Sequence, residues 1–411
     1  MAISSDEARP RALIIGGSMA GLFTALLLHK RGWRVDVFER STDELASRGA
    51  GIATHPEMMV ALDKAGVGSA GLGVELNGRV TFDQSGAVLG EHDMPQVTTS
   101  WDMLYLRLMS GMPAGAYHTG IRLDHVVQEG TTVTAVFADG REERGDLLIG
   151  ADGVRSTVRG QMLPDASPRY AGYVAWRGMI LATEASEATR AALTGRISFS
   201  LPPGEQFLCY PVAGEGGTLS PDQHRLNWVW YRQAGTDPEF EALFTDPDGN
   251  RHDVSMPPNR VHPQVVAAMR ADAPANLPPQ YCELIERTDR PFLQAIYDLE
   301  SPEMVFGRVA ILGDAAFVAR PHTGFGVTKA AGDAVTLAES FDAADGNIDA
   351  GLKAWRDQRV PFGHTMVERG RLLGRLLDTD RQGTIHDPFG ADRTTVNSVM
   401  VETAISADMI R

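Results

Sequence analysis

The most distinctive local pattern is a glycine-rich turn near the start of the chain, Gly16–Gly21 (GGSMAG). It follows an apolar run, Arg11–Ile15, and precedes an apolar run with helical spacing. Gly16 permits a tight turn, and Gly21 lets the helix approach the strand closely, so that free N–H groups of the helix point at a phosphate. Ser18 replaces the usual middle glycine, but its backbone can still approach a phosphate. The pattern predicts a bound dinucleotide; the alternative is a tight strand–helix turn without a ligand.

An acidic residue follows at the position where such folds bind a ribose. Glu39 ends the alternating run Arg34–Glu39, eighteen residues after Gly21. Its carboxylate can accept hydrogen bonds from ribose hydroxyls. The two runs and the helix between them predict a β-α-β unit with a right-handed crossover. This unit alone does not separate FAD from NAD.

Two later junctions have the same form, a short apolar strand that runs into a turn with an aspartate. Leu147–Ile149 precedes Asp152, and Val309–Leu312 precedes Asp314. Helical patterns over 326–341 and 348–371 then follow. Between the junctions, β-prone runs within 176–231 predict an antiparallel sheet wall. The stretch 246–280, rich in Pro and charge, predicts loops with one short helix.

Composition excludes several classes of function. The 411 residues carry a formal net charge of −15, which argues against a nucleic-acid surface and an anionic membrane. No apolar run is long enough to span a bilayer, and the polar N-terminus does not resemble a signal peptide, so we expect a cytoplasmic protein. The two cysteines, Cys209 and Cys282, have no partner at metal-ligand spacing, so we expect no metal site.

Three motifs in order along the chain resemble one enzyme family. They are the GGSMAG turn with Glu39–Arg40, GADGVRSTVR at 150–159 and GDAAFVARPHTGFGVTKAAGDA at 313–334. Together they resemble the aromatic-ring FAD monooxygenases of the para-hydroxybenzoate hydroxylase type. The serine in the first turn, YAGYVAWRG at 170–178 and Arg-Pro-His at 320–322 are most similar to the dihydroxypyridine hydroxylase branch.

The resemblance implies an α/β fold: a Rossmann-type, glutathione-reductase-like FAD-binding domain, an inserted and mainly antiparallel β-sheet substrate domain, and C-terminal helices. The implied boundaries are 1–75, 101–172 and 291–345 for the FAD-binding domain, 76–100 and 173–290 for the substrate domain, and 346–411 for the C-terminal helical segment. A homodimer is implied by the family alone.

The resemblance also implies FAD contacts, at Gly16, Ser18, Met19, Ala20, Gly21, Glu39, Arg40, Arg48, Leu123, Asp152, Asp314, Pro321, Gly324, Phe325 and Gly326. Among them, Glu39 would bind the adenosine ribose and Asp314 the ribityl or pyrophosphate part. The turn 324–326 would donate N–H groups to the N1–C2=O edge of the flavin, which becomes negative on reduction.

One departure from the family concerns an arginine that touches FAD at the start of the helix after the first sheet excursion. Ser100 takes that place in this sequence, and Arg107 lies two helical turns too late to substitute. Arg48 is the candidate for the missing positive charge.

The reaction that the resemblance implies consumes NADH or NADPH and O2. The reduced flavin would form a C4a-hydroperoxide, which a small electron-rich ring, such as a hydroxypyridine or a phenol, attacks. Water must be excluded from such a site, and an ionised ring hydroxyl would activate the substrate. The sequence has no second nucleotide-binding unit, so the choice between NADH and NADPH stays open.

Four residues are candidates for contact with the ring. His322 could hydrogen-bond or deprotonate a substrate hydroxyl, or could be a structural loop histidine. Tyr210 could face the substrate or pack. Arg177 could bind an acidic substrate or form an internal ion pair. His55 follows GIAT near the expected flavin position. Trp228 and Trp230 lie on one face of a strand, where packing is the expected role.

Three other functions remain open from the residues alone. One is an FAD monooxygenase that modifies a larger natural product or a purine-like ring. The second is a flavin-binding redox protein without turnover, which the complete flavin-edge loop disfavours. The third is a nicotinamide-dependent dehydrogenase, for which we find no catalytic Tyr-Lys or His pair near the nucleotide.

Overall fold

The turns predicted to bind the cofactor share one edge of a parallel sheet. The computed structural model describes residues 9–42, 50–235, 238–377 and 395–409. Its strands are β1 (Arg11–Ile15), β2 (Arg34–Glu39), β3 (Gly51–Ala53), β4 (Val74–Phe82), β5 (Val88–Ser100), β6 (Tyr117–Thr119), β7 (Leu123–Glu129), β8 (Thr132–Phe137), β9 (Glu142–Gly145), β10 (Leu147–Gly150), β11 (Arg169–Leu181), β12 (Arg196–Ser200), β13 (Glu205–Val212), β14 (Arg225–Gln233), β15 (Ser255–Met256), β16 (Phe292–Asp298), β17 (Val305–Phe306) and β18 (Val309–Ile311).

Helices pack on both sheets and also form the C-terminal part of the described chain. They are α1 (Met19–His29), α2 (Pro56–Ala65), α3 (Trp101–Met109), α4 (Thr157–Met162), α5 (Glu187–Leu193), α6 (Glu239–Phe244), α7 (Pro263–Asn276), α8 (Pro279–Arg287), α9 (Gly326–Ala343), α10 (Ile348–Gly374) and α11 (Thr395–Glu402). Within the described ranges, every helix is too short or too polar to span a bilayer.

The first sheet has six strands in the order β17-β18-β10-β1-β2-β6. β1 pairs in parallel with β2 and β10, and β10 pairs in parallel with β18. In register, Ile15 lies beside Gly150 and Gly150 beside Ile311, so the three strand–turn motifs end in one row. The predicted β-α-β unit is therefore present, and its apolar strands are buried because helices cover the sheet.

The second sheet has nine strands in the order β15-β16-β11-β14-β13-β12-β4-β5-β3. The strand pairs are antiparallel, with β12–β4 as the parallel exception. Because side chains alternate along each strand, this sheet presents two different faces. Trp228 and Trp230 are fully buried in the cluster on one face, which α7 and α8 cover, so the packing role expected for them is confirmed. The opposite face carries Tyr210 and Tyr231.

One region differs from the sequence-based expectation. The stretch 246–280, predicted as loops with one short helix, holds the whole of α7, which is fourteen residues long, and the start of α8. Each helix has a proline in its first turn, which is favourable because the missing N–H would have no partner there. At the C-terminus, helix α11 packs against β4 and β5.

Candidate active site

A cleft runs between the row of turns and the second sheet, and it consists of two adjoining cavities. The first, of about 420 Å³, lies against the Gly16 turn and is called the turn cavity. The second, of about 330 Å³, lies against the nine-stranded sheet and is called the sheet cavity. Val154 and Val254 line both, so the cavities meet at these residues.

The turn after β1 is shaped for backbone recognition of a ligand. Gly16 has φ +110°, and a side-chain carbon there would lie 2.3 Å from the carbonyl oxygen of Ala151. A side-chain carbon at Gly21 would lie 1.9 Å from the Gly16 carbonyl oxygen, so α1 begins in direct contact with the turn. In the described structure, no side chain caps α1, and its first turn holds no acidic residue. Its first N–H groups are therefore available to an anion.

Glu39 lies at the end of β2, beside this turn. Its buried carboxylate accepts hydrogen bonds of 2.9 Å from the N–H groups of Gly17 and Ser41. These bonds fix the carboxylate at the wall of the turn cavity. Each oxygen keeps a second lone pair that can accept a hydroxyl hydrogen.

Asp152 has a structural role in addition to its position on the cavity wall. Its carboxylate accepts hydrogen bonds from Ser156 Oγ at 2.5 Å and from the Thr157 N–H at 2.7 Å. Burial raises the pKa of this carboxyl, while those bonds oppose the rise. Asp152 thus holds the start of α4 against the second strand–turn motif.

Most of the residues predicted for the first part of the cofactor site lie together. The turn cavity is lined by Gly16, Ser18, Glu39, Arg40, Leu123 and Asp152. Met19, Ala20 and Gly21 lie behind the turn in α1, outside this lining. Arg48, proposed as the substitute cation, lies outside the described residues.

Ser100 occupies the position of the missing family arginine, at the start of α3. Ser100 is fully buried and accepts the Met103 N–H, so it caps α3 and does not line the cavity. Trp101, one residue later, lines the turn cavity, with its ring stacked on Tyr105 at 4.9 Å. Arg107 donates to loop carbonyls instead.

Asp314 points into the sheet cavity from the third turn. Its side chain is open to the cleft, although the surrounding protein raises the pKa of the carboxyl. Beneath it, Asp333 accepts the Gly313 N–H at 3.0 Å, and Lys329 donates to the Gly313 carbonyl at 2.9 Å. Arg359 donates to Asp333 at 2.7 Å and completes a buried cluster of charges that holds the turn.

The flavin-edge loop begins helix α9, and Pro321, Gly324 and Gly326 line the sheet cavity. Phe325 is buried at the helix start and lies outside this lining. Within the described chain, no side chain caps α9, and its first turn has no acidic residue. This is the second helix N-terminus in the cleft with free N–H groups.

His55 supports that loop from behind. Its Nδ1 bonds Thr328 Oγ1 at 2.9 Å, and its ring lies 4.6 Å from the ring of Phe325. It is buried and is not among the residues that line the cavity. Burial lowers the pKa of His55 to about 4, so the ring is neutral near pH 7.

His322 lines the sheet cavity, but both of its ring nitrogens have partners. Nδ1 lies 2.9 Å from Gln206 Oε1, and Nε2 lies 2.8 Å from the hydroxyl of Tyr173. Donation from Nδ1–H to Gln206 and from Tyr173 to Nε2 satisfies the pair. Burial, together with the charge of Arg320, lowers the pKa of His322 to about 3. The imidazole is therefore neutral and held in one orientation.

Arg177 on β11 and Tyr210 on β13 project into the same cavity from two strands that both pair with β14. Burial raises the pKa of Tyr210, so its hydroxyl stays protonated and can donate a hydrogen bond. The internal ion pair considered for Arg177 is not formed with any described residue.

The C-terminal segment supplies one wall of the sheet cavity through Thr403 and Ala404. Arg79, buried on β4, donates to the carbonyls of Met400, Thr403 and Ala404. Sequence reasoning missed Arg79 and the charged cluster under Gly313. Lysine and aspartate four residues apart inside an otherwise apolar helix pattern were the available signal for that cluster. The pattern around Arg79 carried none, because the carbonyls that accept its hydrogen bonds lie more than 300 residues away.

Comparison with known proteins assigns the chain to a family. Residues 170–298 match the family described as FAD binding domain-like. The chain is 32% identical to 2,6-dihydroxypyridine 3-monooxygenase of Paenarthrobacter nicotinovorans, over 89% of this chain and 91% of that protein.

Solved structures agree with this assignment. The structure of 2,6-dihydroxypyridine-3-hydroxylase from Arthrobacter nicotinovorans matches with a TM-score of 0.84 and 30% identity, covering 90% of this chain and 93% of that one. Klebsiella pneumoniae HpxO complexed with FAD and uric acid matches with a TM-score of 0.74 and 25% identity, covering 91% and 90%. The expected fold class is confirmed, and the chain belongs to the FAD-dependent aromatic-ring monooxygenases.

Proposed function

We propose that this monooxygenase hydroxylates a small, electron-rich N-heteroaromatic ring of the hydroxypyridine kind, with NADH or NADPH as reductant and O2 as oxidant. The observation that carries the proposal is the sheet cavity itself. It combines aromatic and aliphatic walls with a few polar groups, among them Arg177, Tyr210 and His322, directly beside the flavin-edge loop. Such a composition is typical of small-molecule sites.

The cleft fits FAD, the cofactor of the family. Its two cavities form an elongated path from Glu39 to the 324–326 turn. The helix N-termini at Gly16–Gly21 and at Gly326 have no side-chain cap in the described structure, as an anionic pyrophosphate and an electron-rich flavin edge require. By contrast, α3 and α4, which do not receive phosphate in this arrangement, are capped by serines. When bound, FAD supplies the redox chemistry by which one oxygen atom of O2 reaches the ring.

The side chains of the sheet cavity have separate tasks in this proposal. Tyr210, protonated, donates a hydrogen bond to an oxygen of the substrate. His322, neutral and bonded on both nitrogens, orients Tyr173 and Gln206 and does not act as a strong base. The C-terminal wall at Thr403 and Ala404 excludes water, which is needed because water in such a site diverts O2 to hydrogen peroxide.

Size favours a single-ring substrate over a large natural product. A cavity of about 330 Å³ is small for a site that also receives the flavin ring. The likeness to dihydroxypyridine monooxygenase supports a hydroxypyridine. The likeness to the HpxO complex with uric acid makes a purine-like ring the second candidate.

Location and assembly form part of the same proposal. Cys209 and Cys282 are free thiols in the structure, as expected in a reducing cytoplasm that also supplies NAD(P)H. A homodimer is proposed from the family resemblance alone, and sedimentation or light scattering would test it.

The test is turnover by the purified, yellow protein. We expect NADH or NADPH oxidation to accelerate with a hydroxypyridine and to yield hydroxylated ring in near-equal amount. A panel of hydroxypyridines, phenols and hydroxypurines, with product and hydrogen peroxide both quantified, separates the ring classes. A protein that binds FAD but gives no product with any ring would contradict the proposal.

A further inference from the structure

Arg177 is a cation in the sheet cavity that has no counter-ion among the described residues. It lies on β11, on the face of the sheet that carries Tyr210 and Tyr231. Its guanidinium makes no hydrogen bond or ion pair with any residue in the described part of the chain, and Nε is fully buried without a partner. The side chain is only partly exposed, and it lines the cavity.

The other arginines of this sheet that are at least half-buried have partners. Arg232 on β14 binds Glu205, and Arg225 at the start of that strand binds Asp102. Arg79 has no carboxylate, but backbone carbonyls and the Gln96 side chain accept its hydrogens. Because a desolvated charge without a partner is costly, a protein keeps one where a ligand supplies the partner.

Charges nearby do not provide that partner. Asp314 is the single carboxylate among the described residues that line the sheet cavity, and family resemblance assigns it to FAD. The phosphate-binding turn lies in the other cavity. Tyr210 and Tyr231 interact electrostatically with Arg177, but burial raises their pKa values and keeps them uncharged.

We propose that Arg177 is the counter-ion of a carboxylate on the substrate, so that the enzyme selects aromatic rings that carry a carboxylate. The inference rests on the proposed function and specifies its substrate class. The planar guanidinium suits both oxygens of a carboxylate. Tyr210, a neutral donor beside it, completes a site for an oxyanion.

Binding of matched ligands tests the inference without turnover. FAD-loaded protein is titrated with 6-hydroxynicotinate and 6-hydroxynicotinamide, and with salicylate and salicylamide, while the visible flavin spectrum reports binding. We expect each anion to bind roughly tenfold or more tightly than its amide, the range of a charge-assisted hydrogen bond. Equal affinity within both pairs in the unmodified protein would overturn the inference.

Two variants locate the effect. Arg177→Gln should abolish the preference for the anion, whereas Arg177→Lys should keep part of it. Arg196→Gln, on strand β12 of the same sheet in an exposed pair with Glu91, is the matched control and should keep the full preference. If Arg177→Gln instead weakens FAD binding or shifts the flavin midpoint potential while the preference survives, Arg177 serves the flavin and the inference is wrong.

Failure of the proposed function has a different signature. If the protein prefers the anions but produces no hydroxylated ring, the counter-ion role of Arg177 stands and the proposed reaction is wrong. If the protein hydroxylates neutral rings and Arg177→Gln does not change the preference for anionic ligands, the proposed reaction stands and the counter-ion role of Arg177 is wrong.

Discussion

The two cavities of the cleft are built in opposite ways. The turn cavity is formed largely by short motifs, each a strand end and the turn after it, which present the uncapped start of α1 together with side chains such as Glu39 and Arg40. The sheet cavity is formed by side chains from separate strands, the 320–326 loop and the C-terminal segment. Recognition of a cofactor shared by a family depends on backbone geometry, which local sequence specifies. Recognition of an individual ring depends on side chains that only the folded sheet brings together.

The largest effect is expected at the buried cluster of charges beneath Gly313, which holds the turn that carries Asp314 into the sheet cavity. Burial opposes ionisation of Asp333, but Lys329, Arg359 and the Gly313 N–H more than offset it, so its pKa is lowered. Asp333→Asn leaves two buried cations without their anion and should lower the free energy of unfolding by about 3–5 kcal/mol. Denaturant unfolding measures the change.

Asp342→Asn is the control for that variant. Asp342 forms an exposed ion pair with Arg31, so its replacement should lower the free energy of unfolding by at most about 1 kcal/mol. Equal losses for the two variants would show that the cluster does not support the cleft.

The next largest effect concerns the turn cavity. Gly16→Ala places a methyl group 2.3 Å from the Ala151 carbonyl oxygen, in a backbone conformation that alanine disfavours. FAD affinity, measured by quenching of flavin fluorescence, should fall by about a hundredfold, which corresponds to about 2.7 kcal/mol.

A second glycine serves as the control that separates steric overlap with the Ala151 carbonyl from backbone strain. Gly140 also has positive φ, at +82°, but no atom lies within 4 Å of an added side-chain carbon. Gly140→Ala should leave FAD affinity unchanged and cost about 1 kcal/mol of stability. If both variants bind FAD as the parent does, the turn is not the cofactor contact.

The sheet cavity should be the acid-sensitive end of the cleft. His322 and His55 have pKa values lowered to about 3 and about 4, below the value of an unfolded histidine. As the pH falls below about 6.5, these histidines therefore bind protons in the unfolded chain before they do so in the folded one. Each of them should lower the free energy of unfolding by about 1.4 kcal/mol for every pH unit of acidification, until the pH reaches the pKa of that histidine in the folded protein.

The His322→Gln variant tests this contribution. Unfolding free energies between pH 7 and 5 should decline less steeply in His322→Gln than in the parent. His125→Gln, which changes an exposed histidine, should leave the slope unaltered. A parent-like slope in His322→Gln would mean that this imidazole is not held neutral.

The smallest effect concerns the C-terminal wall. Arg79→Met removes the hydrogen bonds to the carbonyls around Met400 and Thr403 and should cost about 1–2 kcal/mol. Because the segment walls the sheet cavity, hydrogen peroxide formed per NAD(P)H should rise several-fold while FAD affinity holds. Arg196→Met on β12 is the control, and an unchanged peroxide yield in Arg79→Met would show that the wall is held by other contacts.

The sequence by itself determined the nucleotide-binding unit, the strand–turn motifs at 150–153 and 313–314, and the β-strands of the sheet wall. Each of these depends on neighbouring residues: alternation of apolar side chains, glycines where a turn leaves no room, and an acid at a strand end. For the same reason the cofactor and the family could be predicted from short motifs.

Only the tertiary structure decided which side chains share the sheet cavity. It bonded His322 to Gln206 and Tyr173, placed His55 behind the loop and brought the C-terminal segment to Arg79. It also left Arg177 without a counter-ion among the described residues. These contacts join residues distant in the chain. Strand register and burial, which set both contact and protonation, are properties of the assembled sheet, and no local pattern encodes them.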